Sequence, residues 1–334
     1  MNKSKLFYIS SIIFMALAFS ACDHETDTFD GPNLVDRFGP FNVVTNLGVS
    51  QATVDFAAGE TVFFTAEFNK NINWVIEITG KESGAVKRIE GFDRVINAEN
   101  ATWDGGTTDL PLFRNEACDV LLTIPEEPTF TGMATVETLS SKQYPGFLFT
   151  DFESDAGTDI QIGNFEFELT AGREMDIPSQ GESYYRLAGT DNIVANFFVG
   201  LVDIKSTVTG QNYLDLPTTV PEELYFNCFM YSDGGLHGLA IIDFAVDADD
   251  SGEFEADNDE FYRVATDYDL ATWEGWRQIS HPMSDTPITE EELGKVVAIR
   301  LLLISNMAAQ PMPPLQVDYG VDFMIFTTGG PLEL

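Results

Sequence analysis

The chain is poor in positive charge, in cysteine and in histidine. Against 54 Asp and Glu it has only 17 Lys and Arg, a formal net charge of −37 at pH 7 over 334 residues. A surface this negative repels phosphate backbones and anionic membranes, so nucleic acid is excluded as a partner. Neutral polymers and divalent cations remain open. The 3 Cys are Cys22, Cys118 and Cys228. The last two lie far apart, so no disulfide is expected and each reads as a small buried hydrophobe. Neither has the helix N-terminus or basic neighbour that would lower a thiol pKa. The 3 His are His24, His237 beside a glycine turn, and His281 before a proline, none in the setting of a catalytic triad. No G-x-S-x-G elbow, H-E-x-x-H helix or P-loop is present. Acidic pairs are so abundant that a pair of carboxylates carries no information about glycoside hydrolysis. After residue 22 no apolar run approaches the length of a membrane-spanning helix.

What is present begins with the leader MNKSKLFYISSIIFMALAFSAC. Lys3 and Lys5 precede an apolar stretch from Leu6 to Phe19, which ends at Ser20, Ala21 and Cys22. The stretch is too short to span a bilayer comfortably and reads as a removable signal over residues 1–21. It resembles a bacterial lipoprotein signal, which implies lipidation of Cys22, although Phe19 departs from the commoner Leu three positions before the cysteine. Asp23, Glu25, Asp27 and Asp30 follow at once. That acidic run resembles the surface-export signal of Bacteroidetes lipoproteins and also suits a solvated tether over residues 22–38. The resemblance implies an outer-membrane lipoprotein exposed on the cell surface.

The mature chain reads as all-β. Hydrophobic residues make up 44% of the sequence and 27 are Phe, enough to bury a substantial core. Short runs rich in Val, Ile, Phe and Thr recur at 61–68, 73–78, 85–92, 119–124 and 134–139, punctuated by Gly, Asn, Pro and Asp. They predict a β-sandwich over 39–142, with Trp74 and Trp103 as core or turn residues. A second group, from LFTDFES at 148 to the end, predicts a larger two-sheet jelly roll over 148–334. Alternation places Phe226, Cys228 and Met230 on one face, and sets Ile242, Phe244 and Val246 opposite Ile241, Asp243 and Ala245. ITEEELGK at 288–295 predicts a short helix capped by Thr289.

Several stretches resemble known domains. ENATWDGGTTDLPLFRNEACDVLLTI is similar to the late strands of bacterial immunoglobulin-like domains. DFES, LAGTDN, the D-x-D-D-S-G loop, WEGWRQISHPMSD and VDFMIFTTGGPL, in that order, resemble galactose-binding-like jelly rolls of carbohydrate-binding modules. A lipoprotein leader, an immunoglobulin-like spacer and a C-terminal jelly roll together resemble the surface glycan-binding proteins of Bacteroidetes polysaccharide-utilisation systems. That resemblance implies non-enzymatic capture of an extracellular polysaccharide or oligosaccharide, beside a TonB-dependent transporter and its partner lipoprotein. The alternatives are a structural or adhesive surface lipoprotein without a sugar ligand and, more remotely, a glycan-active enzyme.

Two sets of residues are candidates for chemistry. DADDSGEFEADNDE, 247–260, fits the opening of a calcium loop, with Asp247, Asp249, Ser251, Gly252 and Glu253 at successive ligand or turn places. Its closing ligand is open among Asp257, Asn258 and Asp259. The competing reading is a solvated acidic hairpin loop. The jelly-roll resemblance also implies a structural calcium between first and last strands, for which Glu153 and Asp322 are the candidates. Sugar binding needs flat aromatics on loops with polar groups beside them. Trp273, Tyr231 and Tyr213 fit that description with Arg277 as a donor, whereas Trp276 and Phe197 are expected in the core.

Overall fold

The computed structural model describes residues 39–154, 158–159, 169–190, 198–233, 238–265, 273–305 and 316–334. Cys22, the leader, the acidic tether, Phe197 and His237 lie outside them. The described chain is all-β but for short helical turns. Strands β1 (Val43–Val49), β2 (Thr53–Asp55), β3 (Val62–Gly80), β4 (Val86–Ile96), β5 (Thr102–Trp103), β6 (Ala117–Thr123) and β7 (Thr131–Ser140) form one seven-stranded sheet. Its order is β1-β3-β6-β7-β2, with β4 and β5 also pairing β3.

The runs at 61–68 and 73–78 are expected as two strands, yet they form one. The burial period of two passes unbroken through Asn69, Lys70 and Asn71. Lys70 takes an inward place and is buried. The Asn69 amide donates to the Pro40 carbonyl and its side-chain oxygen accepts from Asn42 N–H, so the polar stretch is satisfied without a turn. Val62, Phe64, Phe68, Trp74, Ile76 and Ile78 from this strand fill the core with Trp103, Leu122 and Val136. Each side chain so buried stabilises by about 1.5–3 kcal/mol. Trp74 and Trp103 are both sealed, and Trp103 donates its indole N–H to Gly106 O at 2.8 Å.

The remaining strands are β8 (Phe147–Thr150), β9 (Thr158–Asp159), β10 (Leu169–Glu174), β11 (Tyr184–Thr190), β12 (Phe198–Lys205), β13 (Leu224–Asp233), β14 (Gly238–Val246), β15 (Glu260–Ala265), β16 (Glu274–Pro282), β17 (Val296–Ser305) and β18 (Gln316–Thr328). They form a six-stranded sheet, β10-β11-β18-β13-β16 with β8 on β18, and a five-stranded sheet, β15-β14-β17-β12-β9. The two sheets bury one core. Phe226, Cys228 and Met230 enter it from β13, Ile242, Phe244 and Val246 from β14, and Tyr319 and Val321 from β18. The β13 and β14 residues are the sets that alternation places together on one face. The helix α1 (Glu290–Leu293) is capped by Thr289, whose hydroxyl accepts from Glu292 N–H while Glu292 reaches back to Thr289.

Part of the outer face of the six-stranded sheet is covered. Leu112, Phe229, Phe323, Ile325 and Leu332 cluster there with Leu110, Tyr144, Leu334 and one flank of Trp276 packed on them. Leu112 N–H donates to Ser179 O at 2.7 Å, and Leu332 N–H to Asn227 Oδ1 at 3.0 Å. The N-terminal sheet system, the C-terminal tail and the sandwich thus meet on this face. The neighbouring part of the same face is where the aromatics of interest stand.

Candidate functional site

On β11, Tyr185 and Leu187 point into the core, so the period of two turns Tyr184 and Arg186 outward. On β13 the same phase turns Tyr231 outward, since Met230 is inward, and on β18 it turns Asp318 and Gly320 outward, since Tyr319 and Val321 are inward. Register then assembles a row across the sheet: Arg186 lies opposite Gly320, Gly320 opposite Tyr231, and Tyr231 opposite Trp276. Glycine matters at 320. A Cβ there would stand 2.9 Å from the Tyr184 ring and 3.0 Å from Tyr231 Cβ. Its absence lets the rings close over the strand.

The Trp276 ring centroid is 5.6 Å from that of Tyr231 at 55°, and 5.2 Å from that of Tyr184, edge to face. Tyr184 is sealed beneath, while Tyr231 and Trp276 stay partly open to solvent. Trp276 donates its indole N–H to Ile177 O at 2.6 Å, and Tyr184 its hydroxyl to Asp176 Oδ1 at 2.8 Å. The 175–178 turn is thereby fixed beside the rings. Arg186 grips Asp318 with both branches of its fork, Nε to Oδ1 at 2.8 Å and Nη2 to Oδ2 at 2.7 Å, and reaches Asp176 Oδ2 at 3.2 Å. The bond to Asp318 raises the Arg186 pKa further, so its charge is fixed. Burial, then the charges of Asp318 and Asp233, raise the Tyr231 phenol, so it stays neutral at pH 7. Flat aromatic surface bordered by a pre-set Arg–carboxylate network can stack on the apolar face of a pyranose and exchange hydrogen bonds with its hydroxyls.

Of the four residues that the sequence suggests for sugar contact, only Tyr231 stands here. Arg277 lies opposite Met230, so it emerges on the core side of β16. There its guanidinium sits 5.2 Å over the ring of Trp273, which packs on the edge of the inter-sheet core. Tyr213 lies in the connection after β12 and packs on the other sheet with Phe254 and Phe261, donating its hydroxyl to Asp247 Oδ2 at 2.7 Å. Trp276, expected in the core, is on the outer face. Its phase follows from Ile279, which is inward and opposite Cys228. Tyr184, Arg186, Asp176 and Asp318 are not apparent from composition or motif. The alternation in YYRLAG and QVDYGVD holds the signal, once the inward residues are known.

The acidic stretch 247–260 connects β14 to β15. Asp247 is buried, and its carboxylate gathers the turn. Oδ1 accepts from Asp249 and Ser251 N–H, both at 3.2 Å, and Oδ2 accepts from Gly252 N–H at 2.8 Å in addition to Tyr213. Burial pushes its pKa up, but the Tyr213 hydroxyl and these N–H groups outweigh burial and hold it down at about 2. Asp259 is buried too. Its Oδ2 accepts from Glu255 N–H at 2.6 Å, while its sealed Oδ1 has no partner. Burial raises its pKa, and the charges of Asp247 and Asp249 add to that. Asp249, Ser251, Glu253 and Asp257 are exposed, and the Asn258 amide goes to Glu255.

Glu153 and Asp322 grip the two ends of one turn. Glu153 Oε1 accepts from Glu182 and Ser183 N–H at 2.8 and 2.9 Å. Asp322, fully buried, accepts from Ser179 N–H and Oγ–H and from Gln180 N–H on Oδ2, and from Phe323 N–H on Oδ1. Protein donors thus fill the Asp322 carboxylate. Among the described residues, no three Asp, Glu, His or Cys side chains converge on a single point as metal ligands.

No family model and no curated protein matches the chain. Solved structures do. One of carbohydrate-binding modules from the β-sandwich superfamily aligns at 10% identity over 86% of this chain and 97% of its own, with a TM-score of 0.38. SGBP-B, from a complex xyloglucan utilization locus in Bacteroides uniformis, aligns at 15% identity over 86% of this chain and 73% of its own, with a TM-score of 0.35. A family 30 carbohydrate-binding module of a cellulosomal cellulase of Clostridium thermocellum aligns at 13% identity over 55% of this chain and 98% of its own, with a TM-score of 0.37. Superpositions at this level locate no ligand and no residue in this chain.

Proposed function

We propose that this chain is a cell-surface lipoprotein that captures an extracellular polysaccharide or oligosaccharide without cleaving it. Tyr231 and Trp276 on the outer face of the six-stranded sheet form the sugar platform. The observation that carries this reading is their pairing on adjacent strands, partly open, directly beside the Arg186–Asp318–Asp176 network. Aromatic surface flanked by fixed donors and acceptors suits a neutral pyranose. The formal charge of −37 disfavours a polyanionic one. Lipidation at Cys22 would tether the protein to the outer membrane. The N-terminal β unit would carry the sandwich outward, and delivery would be to a TonB-dependent transporter and its partner lipoprotein.

The test is electrophoresis through native gels cast with a panel of neutral polysaccharides. Retardation in at least one gel is expected, and Trp276→Ala and Tyr231→Ala should each abolish it while leaving the melting curve cooperative. Absence of retardation across a broad panel, or release of reducing ends from a retained glycan, would overturn the reading.

A further inference from the structure

Strand β18 breaks its alternation at one place. Val321 and Met324 both enter the inter-sheet core, so the two residues between them, Asp322 and Phe323, share the outer face. The pairing with β13 shows how. Asn227 lies opposite Ile325 and Phe229 opposite Asp322, so Phe323 and Met324 together stand opposite Cys228 alone. This is a β-bulge, and Phe323 holds φ of 47° in it, a left-handed backbone uncommon away from glycine. Such a conformation persists where its surroundings hold it, and both outward residues of the bulge are held. Asp322 clasps the neighbouring turn, accepting from Ser179 N–H and Oγ–H and from Gln180 N–H. Phe323 packs with Leu112 of the N-terminal unit and with Tyr144 of the connection between the units, the Tyr144 ring 5.8 Å away and edge to face.

The N-terminal unit grips the same turn. Leu112 N–H donates to Ser179 O at 2.7 Å, and Arg114 Nη2 approaches Pro178 O at 3.5 Å. This segment is itself anchored. Phe113 faces the N-terminal core, 4.8 Å from the Trp103 ring, and Arg114 N–H donates to Glu116 Oε1 at 2.9 Å. At the far end of the turn, Ile177 O accepts the Trp276 indole N–H, and Asp176 accepts from Tyr184 and Arg186. Trp276 also packs on the cluster that contains Leu112. Contacts therefore run without a gap from Trp103 through Phe113, Leu112, Ser179 and Ile177 to Trp276.

We propose that the N-terminal unit is a positioning element of the sugar platform: Leu112 sets the 175–180 turn, and the turn sets the Trp276 ring. The proposal rests on the reading of Trp276 as a sugar contact. A ring held in place before binding costs less to order when the sugar arrives. The N-terminal unit then contributes to affinity without touching the glycan, beyond any role as a spacer, and the 110–114 segment is the link.

The experiment uses the full chain. It has 4 Trp, of which Trp74 and Trp103 are sealed. Emission from Trp276 is read as the difference between a chain and the same chain carrying Trp276→Phe. Leu112→Ala should move that emission to longer wavelength and raise its quenching by acrylamide. In gels of the neutral polysaccharide that best retards the parent, the affinity should fall about two- to tenfold, the cost of ordering one side chain on binding. Leu112→Met keeps the volume and should restore both. Leu112→Val, a milder truncation, carries the same test if the Ala chain does not melt cooperatively. Tyr144→Ala removes packing from the same cluster but no hydrogen bond to the turn. It should lower the melting temperature, yet leave the Trp276 emission and the affinity at parent values. Leu112→Ala with parent emission and parent affinity would overturn the proposal, and so would Tyr144→Ala that moves both as far as Leu112→Ala does. If no gel retards the parent, the glycan reading falls by itself, and the emission still decides whether Leu112 positions Trp276.

Discussion

Replacing Arg186 with Ala tests whether the ionic half of the proposed site is a built feature or a solvated surface pair. Arg186 makes a two-pronged bond to Asp318 and a third contact to Asp176, with side chains 24%, 17% and 54% exposed respectively. An exposed pair is worth roughly 0–1 kcal/mol, whereas a charge-assisted bond sheltered from water is worth about 1.5–3 kcal/mol. Asp318 and Arg186 are mostly sheltered and Asp176 is not, so the two-pronged pair counts together as about one sheltered charge-assisted interaction and the third contact hardly at all. Removing the guanidinium should therefore cost about 2–3 kcal/mol, because it also leaves Asp318 and Asp176 facing each other without a cation. For a sandwich of this size that is roughly 5–10 °C in melting temperature. Arg186→Lys keeps the charge but lacks the fork and should fall between the two. The decisive quantity is the coupling in the Arg186→Ala, Asp318→Ala double-mutant cycle, measured by urea denaturation and expected near 1–2 kcal/mol. A coupling under about 0.3 kcal/mol would refute the reasoning.

Other outcomes follow from single side chains. Glu116 is buried and accepts from Glu82, Ser83 and Arg114 N–H and the Ser83 hydroxyl. Glu116→Gln turns an amide N–H₂ toward those donors, so a loss of about 2–3 kcal/mol is expected in urea denaturation, against none if the cluster is solvated. Burial holds the His281 pKa below its ordinary value, with Asp285 opposing. The unfolded chain therefore binds the proton first, and this stabilisation is complete above about pH 6.5 and is lost as pH falls through the lowered folded value. His281→Gln should flatten the melting temperature between pH 7.5 and 5.5, and an unchanged slope would assign it to other groups. Cys22→Ser should move the protein from the membrane to the soluble fraction of the cell envelope, and retention in the membrane fraction would refute lipidation there.

The sequence made the strand faces legible because burial imposes a period of two that survives without any tertiary information. Phe226, Cys228 and Met230 fall on one face from their spacing alone, and that face is the inward one. The Thr289 cap was equally readable, since both halves of the capping box lie within four residues. Strand β3 is not, because Asn69 and Asn71 look like a break and only the long-range bonds of Asn69 to residues 40 and 42 show otherwise. The outer-face aromatics are hidden for a related reason. Motif context points to Tyr231 as a loop residue and to Trp276 as a core residue, yet both are strand residues on one face. What separates outer face from core is phase relative to Ile279 and Met230, and phase matters only once register sets Tyr231 opposite Trp276.

Acidic residues show the same limit from the other side. With 54 of them, spacing cannot rank one above another. The jelly-roll resemblance implies Asp322 and Glu153 for a shared cation, but four protein donors occupy Asp322. Asp203 is as deeply buried and is matched by the Arg300 fork at 2.6 and 2.9 Å, with that guanidinium lying 4.1 Å over the Phe261 ring. These acids are internal fasteners: each is held by a partner from a distant part of the chain, so none leaves a local motif. The 247–260 loop does leave one, and its opening half is what the sequence displays. Its closing half was ambiguous because Asp257, Asn258 and Asp259 differ little in chemistry and entirely in burial. Asp257 and Asn258 face water, while Asp259, next to the β15 strand that begins at Glu260, is buried with one carboxylate oxygen unmatched, a difference of position that residue type alone does not display.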